Sequence, residues 1–238
     1  MNLFTYDAID ELGDELIRQY LGEAADTTFC VDVEGFVTDF LGLPLLYRSF
    51  AEDDPDKIGF ISDGITPIRV YENGSAASRV YSKGTIIIEE YLRCESESGR
   101  RRFTIIHEGA HFVLDRALPR AGYHREFDYE RCYKPEDFQQ LFTMSEAIFD
   151  RMGAALLMAR FMVCNLVRRY GVTDGIPVYG DNVLRPEDRL LISRMAGDMG
   201  ASFQAFFIRL REVGFLIRRP LAEYIVEDMG LGKAGGSN

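Results

Sequence analysis

The chain has 238 residues, 47% of them hydrophobic, enough for a sizeable core in one domain with an appendage or in two small domains. Its formal net charge of −11 and sequence pI of about 4.8 argue against nonspecific binding to nucleic acid or to an anionic membrane. Cys30, Cys94, Cys132 and Cys164 form no Cys-x-x-Cys pair, which argues against a cysteine zinc site, and no apolar run approaches the ~20 residues that span a membrane.

The start, Met1 to Ile17, is acidic and amphipathic and does not read as a signal peptide, so a reducing, cytoplasmic setting is expected. Ile9, Leu12, Leu16 and Ile17 give helical spacing from Tyr6 to about Leu21. Val33 to Leu41 reads as a second short helix with Asp32 as its N-cap. Leu43 to Tyr47, Lys57 to Ser62, Ile68 to Tyr71 and Thr85 to Glu89 read as extended. Gly64, Asn73-Gly74 and Lys83-Gly84 are turn signals between them. The expected fold class is α+β, with a small, mainly antiparallel sheet and helices on one side.

A helix from Ser96 or Ser98 to about Ala117 follows, its buried stripe formed by Phe103, Ile106, Ala110, Val113 and Ala117. Arg100-Arg101-Arg102 lies near its start, where the helix dipole disfavours positive charge. A solvated face partnered by Glu95 and Glu97 is one reading, and contact with a substrate is the other. Pro119 to Pro135 is a polar, aromatic-rich connection. A long helix is expected from about Glu136 to Tyr170, broken near Gln140. After the linker Asp174-Gly175-Ile176-Pro177, two helices, Pro186 to Met199 and Ser202 to Val213, meet at a turn near Gly200 as a helix-turn-helix. The tail from Gly230 to Asn238 is Gly-rich and expected to be disordered. The expected division is residues 1–172, 173–229 and the tail 230–238.

The most informative stretch is His107-Glu108-Gly109-Ala110-His111, a His-Glu-x-x-His motif. Residues four apart share a helix face, so His107 and His111 can hold one metal ion together. Glu108 projects to one side, where it can act as a base toward water. A catalytic zinc usually has three protein ligands. The best third candidate is Glu146, which shares a helical face with Asp150, and Gly153 and Leu157 continue that face as a small or apolar stripe. Two carboxylates on such a stripe need a partner. A dication held by Glu146, with Asp150 accepting a hydrogen bond from a ligating imidazole, supplies one. Asp128, Glu130, Asp150 and His124 are further ligand candidates. Tyr123, His124, Tyr129 and Tyr133 are candidates for stabilising an oxyanion, and Cys132 reads as an incidental thiol.

The run Arg101-Arg102-Phe103-Thr104-Ile105-Ile106-His107-Glu108-Gly109-Ala110-His111 resembles the Arg-Arg-Phe-Thr-x-Ala-His-Glu-x-Gly-His block of the ImmA/IrrE family of metallopeptidases. Glu146 through Asp150 to Gly153-Ala154-Ala155-Leu156-Leu157-Met158 resembles their second block, and Gly84 to Ile88 resembles the strand before their motif helix. The likeness covers roughly Val31 to Arg160. It departs at Gly109-Ala110, where the small residues are exchanged, at Asp150, where the family often has Asn, and at Ala159, where Pro is usual.

The resemblance implies a zincin-like catalytic domain and a cytoplasmic zinc endopeptidase with one Zn2+ per chain. His107, His111 and Glu146 carry over as metal ligands and Glu108 as catalytic acid/base. The implied substrate is a protein such as a helix-turn-helix transcriptional repressor, and the strand Thr85 to Glu89 could pair with its extended segment. The alternatives are a catalytically silent, metal-stabilised module that sequesters a repressor or antitoxin, and a zinc hydrolase acting on a nonpeptide amide. The helical segment past the core has local basic character at Arg209, Arg211, Arg218 and Arg219, but the acidity of the whole chain favours packing or substrate gripping over DNA binding.

Overall fold

A computed structural model describes residues 5–117, 135–227 and 229, the side chains of 135–145 and 227 excepted. The fold is α+β and divides into two compact units, Met1–Ala159 and Arg160–Asn238. No described helix is long and apolar enough to cross a membrane. The tail 230–238 lies outside the described residues.

The first unit begins with α1, Tyr6–Leu21. Thr5 caps it by accepting from the Ala8 N–H, and Gly22 ends it at φ +55°. Its buried face carries Ile9, Gly13 and Ile17 and also Asp10. That face packs on α4, Pro135–Leu157. A Cβ at Gly13 would lie 2.8 Å from Ala155 Cβ, so glycine lets the two helices approach closely. Asp10, 1% exposed, pairs with Arg151 of α4, whose guanidinium also lies over the Tyr6 ring at 5.2 Å. Removing one partner of a buried pair leaves the other charge desolvated. Asp10→Ala is therefore expected to destabilise the fold by roughly 3–5 kcal/mol in urea unfolding, and Asp10→Asn, which keeps an acceptor oxygen, by less.

Asp32 caps α2, Val33–Gly35, by accepting from the Gly35 N–H, and a π turn continues it over Phe36–Phe40. Among the described residues of this unit, two small sheets stand where one mainly antiparallel sheet was expected. The main one has the order β1-β5-β2, from β1 (Leu45–Arg48), β5 (Ile86–Glu89) and β2 (Gly59–Ile61). Its β1/β5 pairing is parallel and its β2/β5 pairing antiparallel. Ile86, Ile87 and Ile88 are all fully buried, as a central strand requires. A hairpin, β3 (Ile68–Glu72) and β4 (Ser75–Arg79), turns at Asn73-Gly74, both at positive φ. A Phe50–Val70 bridge ties it to the chain leaving β1.

The motif helix α3 spans Ser98–Ala117 and packs on β2, β5 and α4. A 3-10 turn, Glu95–Glu97, leads into it, and Ser98 is already helical, so neither Ser96 nor Ser98 acts as the expected cap. The arginines at its start hold the neighbouring chain. Arg101 donates to the carbonyls of Leu92 and Arg93 and lies 3.8 Å from Glu34, while Arg102 donates to the Val31 carbonyl. Partners from Val31 to Arg93 thus stand in place of Glu95 and Glu97. Helix α4 ends at Leu157 rather than continuing to Tyr170, and the interruption falls at Met158-Ala159 rather than near Gln140.

The second unit holds α5 (Arg160–Arg169), β6 (Ile176–Tyr179), α6 (Pro186–Asp198), α7 (Phe203–Glu212), β7 (Leu216–Arg219) and α8 (Leu221–Glu227). Strands β6 and β7 pair in parallel. Gly200 turns α6 into α7 at φ +61°, and Ser202 caps α7 on the Ala205 N–H, giving the expected helix-turn-helix pair.

Candidate metal centre

One turn of α3 separates His107 from His111 and puts their Nε2 atoms 3.2 Å apart. Helix α4 runs alongside and brings Glu146 Oε2 to 3.5 Å from His107 Nε2 and 3.9 Å from His111 Nε2. Four-coordinate donors about 2.1 Å from a central ion lie about 3.4 Å from one another. The observed separations bracket that edge, so His107, His111 and Glu146 form a group that can hold one metal ion. The Glu146 side chain is 55% exposed, leaving a water-accessible side to the group.

The next turn of α4 orients the imidazoles. Asp150 Oδ1 lies 3.0 Å from His107 Nδ1, which is itself buried, so the proton is drawn to Nδ1 and the Nε2 lone pair faces the donor triangle. Phe149, 7% exposed, stacks on the His111 ring at 3.8 Å between centroids and 27° between planes. Consecutive residues of α4 thus fix the two histidines. Asp150→Ala is expected to weaken metal binding by about 10–100-fold in a chelator competition, and Asp150→Asn, which keeps an acceptor, by less.

Burial opposes the His107 imidazolium, but the bond to Asp150 and the charges of Glu108, Asp150 and Glu146 outweigh it and raise the His107 pKa. Burial and the neighbouring His107 charge push His111 down to about 4. His111 is therefore neutral at pH 7, the form in which an imidazole can donate to a metal ion.

Glu108 leaves α3 on the side of the sheet. It is 8% exposed, and burial pushes its carboxyl up to about 7. It accepts a hydrogen bond from the Ile61 N–H of β2. Gly109, the small residue in the unexpected motif position, faces α2 and its π turn. A Cβ there would lie 3.2 Å from Val37 Cγ1, so the exchanged small residue suits the helix packing on that side.

A cleft of about 1000 Å³ opens at His111. Leu43, Pro44, Ile61 and Phe112 give it apolar walls, and Lys83 and Arg116 stand among its charged lining residues. The strand expected to receive a substrate, Thr85 to Glu89, cannot do so. As β5 it is bonded on one side to β1 and on the other to β2. Among the described residues the sheet edge beside the site is β2.

The structure thus brings together His107, His111, Glu146 and Asp150 and places Glu108 beside them against β2. Tyr123, His124, Asp128, Tyr129, Glu130, Cys132 and Tyr133 lie outside the described residues. Sequence reasoning missed Phe149 and Ile61. The first carried a readable signal, an aromatic beside Asp150 on the ligand helix. The second acts through its backbone and carried none. Comparison with models of known protein families finds no match, and none of the curated proteins matches the chain.

Proposed function

We propose that the chain is a zinc-dependent endopeptidase of the ImmA/IrrE kind with a zincin-like catalytic unit. Its substrate class is a protein segment such as that of a helix-turn-helix repressor. The observation that carries this reading is the convergence of two imidazole Nε2 atoms and one carboxylate oxygen, 3.2–3.9 Å apart, with a separate buried carboxyl on the same helix. Two nitrogens and one oxygen make a donor set that suits zinc and leaves room for a fourth position. Bound there, zinc supplies Lewis acidity and lowers the pKa of water from 15.7 towards ~7.

The chain's own groups supply the rest. Glu108 takes a proton from the attacking water and returns it to the leaving amine. Burial, which raises this carboxyl in the metal-free site, makes it a readier proton acceptor than an exposed glutamate. Asp150 and Phe149 keep the two imidazoles in register while this happens. The cleft at His111 offers volume for side chains of an extended peptide.

The test is hydrolysis of unfolded casein and of a helix-turn-helix repressor by zinc-loaded protein, followed by mass spectrometry of the products. New peptides, suppressed by a chelator and restored by zinc, are expected. Tight capture of the repressor with both probes left intact would favour the silent binding module instead.

A further inference from the structure

We propose that Gly59 of β2 is a positioning residue for Glu108, its missing side chain forming the seat in which that carboxylate lies. The role assigned to Glu108 rests on the peptidase reading, whereas the seat rests on geometry alone.

Gly59 lies in regular extended backbone, not at positive φ, so the chain conformation there does not call for glycine. Strands ordinarily favour β-branched or aromatic residues, and Gly59, which opens β2, offers no side chain to pack. Space is the remaining reason. A Cβ at residue 59 would lie 2.6 Å from Glu108 Oε1, 3.3 Å from Glu108 Cδ and 2.6 Å from Thr104 Cγ2. Non-bonded heavy atoms settle near 3.5–4.0 Å, so both close neighbours would have to move.

Neither moves freely. Thr104 sits one turn before Glu108 on α3, is 7% exposed, and its hydroxyl donates to the Arg100 carbonyl at 2.9 Å, which fixes the direction of its methyl. The Ile61 N–H also favours the Glu108 carboxylate where it lies. The register of β2 explains why that N–H is to hand. Ile58 accepts from the Glu89 N–H and Ser62 donates to the Thr85 carbonyl, both across to β5. By alternation, the backbone groups of Gly59 and Ile61 face away from β5. The seat therefore has a floor at Gly59, a wall at Thr104 and a donor at Ile61. The atoms nearest a Cβ at 59 belong to Glu108 and Thr104, not to His107, His111 or Glu146.

The test is a double-mutant cycle in urea unfolding of the full chain, combining Gly59→Ala with Glu108→Ala, alongside casein hydrolysis by the zinc-loaded Gly59→Ala protein. Gly59→Ala should lower the folding constant at least about five-fold more in the wild-type background than in Glu108→Ala, a coupling typical of residues in contact. Zinc content should stay at that of the wild type while kcat falls at least ten-fold with KM little changed. Thr104→Ser, which removes the methyl wall, should return part of both losses, and if Gly59→Ala does not fold alone the cycle is run in that background. Independent effects of the two substitutions on unfolding would overturn the seat whatever the hydrolysis shows. Coupling in unfolding with wild-type kcat would overturn the positioning role. Absence of hydrolysis by the wild type would count against the peptidase reading and leave the seat to be judged by the unfolding cycle.

Discussion

Glu108→Gln is expected to keep the zinc and to lose hydrolysis by about 10²–10⁴-fold, the range over which a positioned general base contributes. The substitution isolates the proton transfer. Glutamine has the shape of glutamate, and its carbonyl oxygen can still accept from the Ile61 N–H that holds Glu108. It cannot take a proton from water. The proposed metal donors are His107, His111 and Glu146, so zinc content should be unchanged. Metal analysis of the purified variant beside its hydrolysis rate checks both halves. Retained hydrolysis would remove Glu108 from the mechanism.

The same variant carries a signature in the metal-free protein. The Glu108 pKa rises from 4.5 to about 7 because the buried site disfavours the carboxylate. Between those values the folded state binds more protons than the unfolded state, so this group lowers stability as pH rises through that window. Above about pH 7 the loss is complete and amounts to ~3 kcal/mol. Glutamine does not titrate. Metal-free Glu108→Gln should therefore match the wild type near pH 4 and exceed it at pH 8, measured by urea unfolding across the pH range. The opposite order at pH 8 would mean that the carboxylate is stabilised where it lies.

What was legible in the sequence follows from how local each feature is. Helix α1 could be read because the spacing of Ile9, Leu12, Leu16 and Ile17 lies within one short stretch. The donor triangle could be read because each half is a helical repeat, His107 with His111 and Glu146 with Asp150, and a metal site requires them to face each other. Strand β4 was missed because Ser75-Ala76-Ala77-Ser78-Arg79 has no β-branched or aromatic residue. It is an exposed ribbon held by its turn and by the Arg79–Glu72 pair. The place of β5 in the centre of its sheet is a matter of strand order, and hydrophobic runs do not encode order. Gly59 was invisible for the same reason. Nothing near it in sequence indicates that a helix carboxylate comes to rest there.

His111→Ala is expected to abolish stoichiometric zinc binding and, with it, the stabilisation that zinc confers. Among the described residues His111 is one of the three groups that can hold the ion, and its ring is neutral at pH 7. Two remaining donors, one of them on a half-exposed carboxylate, do not enclose an ion. A ligand that binds only the folded state stabilises it by about 4 kcal/mol at 1,000 times its dissociation constant. Thermal unfolding with and without excess zinc should show that shift in the wild type and none in the variant. The metal-free comparison separates ligation from packing. Phe149 stacks on the His111 ring at 3.8 Å, so alanine also opens a gap against a buried aromatic and lowers the metal-free stability. His111→Phe fills the gap without offering a nitrogen. It should recover metal-free stability while still failing to respond to zinc. A zinc response in His111→Phe would show that His111 is not a ligand and would overturn the three-donor centre.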